Sequence, residues 1–465
     1  MMLGLARAEL LIIRRDPRAW WALILLAAFI LLTFAGASIE AARGNADKAA
    51  IAEAERSRWL NQGEKDPHTA AHYSIFAFKP APALVGLDAG AIPFVGQSVW
   101  LEAHHQNDLL HRPQQGASPL QRAGLASPAA LILGIGPLIV FLLAFSLVAR
   151  DRERGTMRLA LGMAGSPQMV VAAKALAIWS AATGLLVLPV TTAALFVSAA
   201  SDALTGDVLL RLALWSVLMG AYLALPATVG VLVSLKATNA RIALAALFGL
   251  WILFALVVPR AASSAADGLR PLPSSQQVRQ QMLDEAPAYW SAEDSERHKR
   301  QLLAAYGVAR LEDIPNVRMA ELDLVERHSH QVFDRILGDF YSRVAGQDRL
   351  FASFGFLSPT VAGQALSASL AGTDFSHQRH FIDSAERYRR TLVNRMNAEG
   401  MAHPASGHER HTDDASLWSQ IPPFAYSAPA LGASTGTALP ALAALLLWLC
   451  GAWLLLRTAA RRITP

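Results

Sequence analysis

Two kinds of chemistry are open to the side chains of this sequence: metal ligation by histidines, and charge pairing by one short run of alternating charges. All thirteen histidines fall between positions 68 and 411. His68 and His72 follow Asp66-Pro67, a pair that starts helices, so their i,i+4 spacing sets both imidazoles on one helix face. His377 and His380 stand at i,i+3 on a second expected helix. Imidazole suits zinc and copper. These four residues are therefore the candidate ligands, and zinc or copper the candidate ion, although neither pair completes a ligand set. The competing reading is that the histidines populate solvent-exposed polar faces. His408-Glu409-Arg410-His411 has one residue between Glu and the second His, where a zinc protease needs two. No spacing fits a catalytic triad or a paired-carboxylate site, so an enzyme is not expected.

The charged run is Arg150-Asp151-Arg152-Glu153-Arg154-Gly155-Thr156-Met157-Arg158. A short amphipathic helix over residues 159–165, Ser166-Pro167 and Lys174 come after it. Such a charged, glycine-punctuated turn either presents a face to a partner or is an ordinary solvated loop. A phosphate-cradling loop needs Lys followed by Ser or Thr. None of Lys48, Lys65, Lys79, Lys174, Lys236 and Lys299 is so followed, which excludes a Walker-type ATPase within the chain.

The elements that must position these residues are mostly apolar. Hydrophobic residues make up 53% of the 465 and charged residues only 17%, against about 25% in soluble chains; mean hydropathy is +0.31. Disorder is excluded. Six runs are long enough to cross a bilayer, at residues 20–39, 128–149, 170–199, 208–235, 242–259 and 438–456. Pro189 and Pro226 are expected kink sites. Residues 1–19 read as an amphipathic interfacial helix, with Asp16-Pro17 opening the first span. The alternative for this start is a cleavable signal peptide ending near Ala35-Gly36-Ala37.

Arg7, Arg14, Arg15 and Arg18, the cluster at 150–158, Lys174, Lys236, Arg241, Arg457, Arg461 and Arg462 all fall on one side of a six-span arrangement. The positive-inside rule then puts both termini and the 457–465 tail in the cytoplasm. Arg211, near the outer end of the fourth span, is expected to snorkel. The net charge of +5 is thus membrane orientation, and no nucleic-acid partner is expected. No span has an ionisable residue near its centre, which argues against a proton-coupled carrier or a charged-ring channel. Cys450 is the sole cysteine, so no intramolecular disulfide can form.

Residues 40–127 and 260–437 lie outside the membrane and are expected to fold together as one mostly helical α+β extracytoplasmic domain made from two insertions. The helical periodicity covers residues 317–345 and the Phe381, Tyr388, Leu392, Met396 face. A few short strands are expected over residues 73–100. Residues 350–373 carry no charge and read as a buried or membrane-skimming segment.

Glu153, Gly155 and Thr156, followed by a short apolar helix, Pro167 and a helix bearing Lys174, resemble the intracellular loop of ABC-2 type exporter permeases. The six spans and interfacial helix are similar too. Residues 67–104 and 356–381 resemble an uncharacterised subfamily with large periplasmic domains. The resemblance implies a mainly α protein with the ABC-2 exporter fold in a bacterial inner membrane, with membrane lipid around it. It implies a second permease, identical or a sister, and a dimer of cytoplasmic ATPases that bind ATP and Mg. The loop over residues 150–169, with Arg152, Glu153, Gly155, Thr156, Pro167 and Lys174, would then couple to those ATPases. Two other readings stay open: a complex handling metal or a metallophore, and a membrane-anchored periplasmic binding or sensor protein.

Overall fold

The computed structural model describes residues 2–73, 75–110, 127–157, 162, 166–286, 291–403, 411–434 and 438–462. The amphipathic helix expected over 159–165, apart from residue 162, and His408 lie outside the described residues.

The chain opens with α1 (Met2–Arg15). Its residues Ala6 and Ile13 are buried while Leu3, Leu11 and Ile12 on another face are exposed. Pro17 then starts α2 (Pro17–Leu60), a single 44-residue helix. At 1.5 Å per residue it is about 66 Å long, twice the ~30 Å hydrocarbon core. The apolar run stops at residue 39 but the helix does not. Its charged half, rich in Ala, Glu and Arg, keeps helix propensity after hydropathy has gone. The first insertion continues with α3 (Pro67–Ala71) and a three-stranded antiparallel sheet of β1 (Ile75–Phe78), β2 (Ser98–Leu101) and β3 (Gln106–Leu110) in the order β1-β2-β3. Ile75 pairs with Leu101 and Phe78 with Ser98.

Among the described residues, six helical stretches are long and apolar enough to cross a membrane, and the chain reads as a multi-pass membrane protein. The second of them is broken into α4 (Pro128–Gly134), α5 (Gly136–Ala144) and α6 (Ala149–Glu153). The third joins α7 (Pro167–Ala182) to α8 (Leu188–Ala200) through a π turn. The fourth is α9 (Gly206–Lys236), and the fifth joins α10 (Ala240–Trp251) to α11 (Val258–Leu269) through a second π turn. Both π turns precede a proline, Pro189 or Pro259, which lacks the N–H an α turn would use. Pro226, by contrast, lies inside an unbroken helix.

The second insertion supplies α12 (Ser275–Glu285), α13 (Ala292–Tyr306), α14 (Val317–Ser353), α15 (Pro359–Ala371), α16 (Phe375–Ala402), α17 (Ala415–Trp418) and α18 (Leu431–Ser434), before the last apolar helix, α19 (Leu439–Ala460). The two insertions share a core. Trp59 and Ala71 from the first pack with Leu392, Met396 and Trp418 from the second, and the sheet residues Ala77 and Leu101 pack on Phe381 and Ala385 of α16. Lys65 and Asp413 exchange two backbone hydrogen bonds of 3.0 Å.

The charge-free segment belongs to the bundle. Ala362, Leu366 and Ala371 of α15 join the same apolar core as the spans. Its polar groups are met by the spans: Trp215 Nε1 donates to Ser367 Oγ at 2.9 Å, Ser358 Oγ to Phe254 O at 2.6 Å, and Trp448 Nε1 to Gly355 O at 3.0 Å. Ser358 also caps α15, its Oγ accepting from the Thr360 N–H at 3.2 Å, so an uncharged helix too short to span has its start and its hydroxyls paired within the bundle. Arg211 does not snorkel. It is 6% exposed, pairs with Asp207 at 2.5 Å, and donates to Pro429 O at 2.9 Å and Ser369 O at 3.3 Å. Covering the end of α9 with α15 and the 429–431 strap removes the water an arginine would otherwise seek.

Gly230 lets α9 lie directly on α5: a Cβ built there would stand 2.4 Å from Ala144 Cβ. Alanine has no rotamer to yield, so the backbones must part. Gly230→Ala is expected to lower the melting temperature in detergent, equivalent to about 1–3 kcal/mol, and Ala144→Gly in the same chain to restore part of it.

Candidate functional site

The five-residue α6 ties together four other elements through the charges of the alternating run. Asp151 Oδ2 lies 2.8 Å from Lys174 Nζ on α7, and the same ammonium donates to Glu9 Oε1 on α1 at 2.7 Å. Lys174 is 2% exposed. Two carboxylates from separate elements thus converge on one buried ammonium. Arg152 donates to Leu235 O at 3.0 Å and to Ala237 O, the carbonyls that end α9, where the helix dipole is negative. Glu153 Oε1 accepts from the Ala240 N–H at 3.0 Å, at the positive start of α10. Adjacent residues of opposite charge therefore grip the two helix ends that flank the α9–α10 turn.

Local sequence explains the shape of this node. Gly155 has φ +72, a left-handed conformation that costs other residues about 1–2 kcal/mol. Thr156 Oγ1 donates back to Asp151 O at 3.2 Å. Ser166 Oγ accepts from the Met169 N–H and Pro167 takes the first turn of α7, an ordinary proline-assisted helix start. The break between α5 and α6 is closed by the buried Ser234 of α9. Its Oγ accepts from the Val148 and Ala149 N–H groups at 3.1 Å each and donates to Phe145 O at 2.8 Å. A helix break inside an apolar bundle needs such satisfaction.

The lobe made from the two insertions gathers a different constellation. Asp66 caps α3 by accepting from the Thr69 N–H at 3.0 Å, and is held to α14 by Arg318 at 3.0 Å. That fixes His68 and His72, whose Nε2 atoms stand 3.0 Å apart. His104, from the turn between β2 and β3, completes the group, and one ring nitrogen from each of the three lies within 4.8 Å of the other two. His68 Nδ1 lies 2.9 Å from Asn397 Oδ1, and Asn397 Nδ2 donates to Glu326 Oε2 at 2.5 Å. His104 Nδ1 is 3.2 Å from Glu326 Oε1. Asn397 and Glu326 are 2% and 3% exposed. Burial lowers the pKa of His68, and lowers that of His72 to about 4 with help from the neighbouring His104 and His68. Both rings are therefore neutral at neutral pH, the form that binds metals.

His377 and His380 do not share a ligand site. His377 is buried, with Nδ1 2.5 Å from Asp374 Oδ1 and Nε2 3.5 Å from the Arg211 guanidinium, while His380 Nδ1 turns to Tyr426 OH at 3.3 Å. A spacing of three sends the two rings to different neighbours, one toward the bundle and one toward the 422–429 strap. Glu399, His403 and His411 also converge, flanking residues 404–410, which are outside the described residues.

Sequence reasoning missed Glu9 and Asp151 as partners of Lys174, and His104, Glu326 and Asn397 as neighbours of His68 and His72. Glu9 had a signal, being the only acidic residue before Asp16. The others had none, because their partners are far away along the chain.

Residues 275–427 match a family described as a domain of unknown function, DUF3526. The match spans α12 to α17 and about a third of the chain, and includes none of the six apolar helices. No curated protein and no solved structure matches the chain significantly.

Proposed function

We propose that this chain is the permease subunit of an ATP-driven ABC transporter of the ABC-2 type, an exporter. It forms the translocation path in the bacterial inner membrane, with both termini cytoplasmic and the lobe periplasmic. A second permease, identical or a sister, completes the path. Two cytoplasmic ATPase subunits bind ATP and Mg, since this chain has no phosphate-binding loop.

The observation that carries this reading is the node around Lys174. A displacement of α6 is transmitted to α1 and α7 through Glu9, Lys174 and Asp151. It reaches the α9–α10 turn through Arg152 and Glu153. A partner that pushes on one short charged helix therefore moves four elements of the bundle at once. A membrane anchor for a sensor has no use for such a linkage or for six spans. The absence of ionisable groups at the span centres fits energy supplied by another subunit.

The test is a gentle-detergent pull-down of the tagged chain from its native host, read by mass spectrometry. A stoichiometric partner with a phosphate-binding loop is expected. Its absence, under conditions that keep known ABC complexes intact, would end the exporter reading in favour of an anchored sensor. Glu153→Ala is expected to leave complex assembly intact, because it removes one exposed cap worth about 1 kcal/mol, while export falls at least tenfold. Unchanged export would remove Glu153 from coupling.

A further inference from the structure

We infer that His68, His72 and His104 form a binding site for a divalent first-row transition ion of the zinc–copper class, with Glu326 and Asn397 as its outer shell. This goes beyond the transport reading and does not depend on it.

Three features point to a cation. The first is the direction of the nitrogens. Asn397 Nδ2 donates to Glu326, so its Oδ1 is the acceptor facing His68 and must receive the His68 Nδ1 proton. The Nε2 of His68 then carries a lone pair, aimed at His72 Nε2 3.0 Å away. Two imidazoles held about 2.1 Å from one tetrahedral ion would have nitrogens ~3.4 Å apart. The observed separation is already near that value.

The second feature is charge. Glu326 is 3% exposed, and its Oε1 has no hydrogen-bond donor among the described residues. That oxygen faces the histidine group through His104 Nδ1 at 3.2 Å. A buried carboxylate is costly without a countercharge. A dication on the three rings would supply one, and the carboxylate–histidine pair is the usual second shell of such ions.

The third feature is access. His68 is buried, His104 half-buried and His72 exposed. The site therefore opens to solvent on the His72 side, which leaves a position for water or for a further ligand. Three imidazoles without thiolate suit zinc, copper or nickel rather than calcium or magnesium, which take oxygen. An ion here would also clamp the two insertions. Its ligands come from the first insertion, and their supports, Glu326 and Asn397, from α14 and α16 of the second.

The experiment uses the full chain purified in detergent and stripped with a chelator. Zn²⁺ is titrated calorimetrically against a competing chelator, and Co²⁺ is added as a spectroscopic probe of tetrahedral nitrogen ligation. The wild-type chain is expected to bind Zn²⁺ with a rise in melting temperature, and to give the visible bands of tetrahedral Co²⁺. His72→Ala, at an exposed position, is expected to lose that binding and those bands while His380→Ala retains both. Glu326→Gln keeps all three ligands and is expected to weaken Zn²⁺ binding about 10- to 100-fold. Equal Zn²⁺ binding by the wild type and His72→Ala would overturn the assignment, as would no binding by the wild type. If His72→Ala were to misfold, Glu326→Gln decides: an affinity unchanged from wild type overturns the proposal, and a weaker one supports it.

Discussion

Lys174→Met is expected to release α1 from the bundle and to abolish export. The substitution nearly conserves volume, so packing of the methylene stem on α7 survives and only the charge is lost. Glu9 and Asp151 then face each other without a cation, in a place where the ammonium was 2% exposed. Their side chains are 17% and 31% exposed. Breaking a buried pair by removing one partner costs roughly 3–5 kcal/mol, and partial exposure of the two acids brings the expected value to the lower end. Apolar packing is the other contribution: Leu5, Leu10 and Ile13 of α1 join the same apolar cluster as Val170 and Val171 of α7. Hydrogen exchange of the α1 amides reads the release directly, and should accelerate at least tenfold. Glu9→Gln combined with Lys174→Met is expected to recover part of the protection, since only one carboxylate then remains unpaired. Protection equal to wild type in the single variant would mean that apolar packing alone docks α1, and the node would lose its place as the link between α1 and α6.

Trp418→Ala is expected to unfold the lobe and spare the bundle. Trp418 is fully buried, stands edge-to-face with Trp59 at 6.2 Å, and donates from Nε1 to Gly63 O at 3.2 Å. Trp59 Nε1 in turn donates to Trp418 O at 2.9 Å. These two rings join α2, which grows out of the first span, to α17 near the end of the second insertion. Truncating a buried tryptophan costs about 3–5 kcal/mol. That is a large fraction of what a domain of this size holds in reserve, about 5–15 kcal/mol. The apolar core around Trp59 and Trp418 is separate from the core of the six spans. Limited proteolysis should therefore show new cleavage in residues 40–110 and 411–434, with the apolar helices still protected. Trp418→Phe keeps most of the ring volume and should lose far less. An unchanged cleavage pattern in Trp418→Ala would show that the two insertions are held together elsewhere, at the Lys65–Asp413 bridge or the sheet.

The properties legible in the sequence are those written in consecutive residues. Six apolar runs announced six apolar helices, because a lipid environment selects length and hydropathy locally. Asp66-Pro67, Asp16-Pro17 and Ser166-Pro167 each mark the start of a helix, because caps act on the next three residues. The i,i+4 pair His68 and His72 did come together, since one turn of helix suffices to join them. The end of α2 was less legible, since its apolar run stops at residue 39 while helix propensity carries the backbone on to Leu60.

What tertiary structure alone decided is which distant groups meet. His68 finds Asn397 across 329 positions, and Lys174 finds Glu9 across 165. A buried charge or imidazole chooses its partner by where packed elements set it down, and spacing along the chain holds no record of that. The same reason separated His377 from His380, whose spacing is as favourable but whose faces point to Arg211 and to Tyr426. It also turned Arg211 from a residue expected to reach for water into a buried clamp, because α15 and the strap at 429–431 cover the end of its helix.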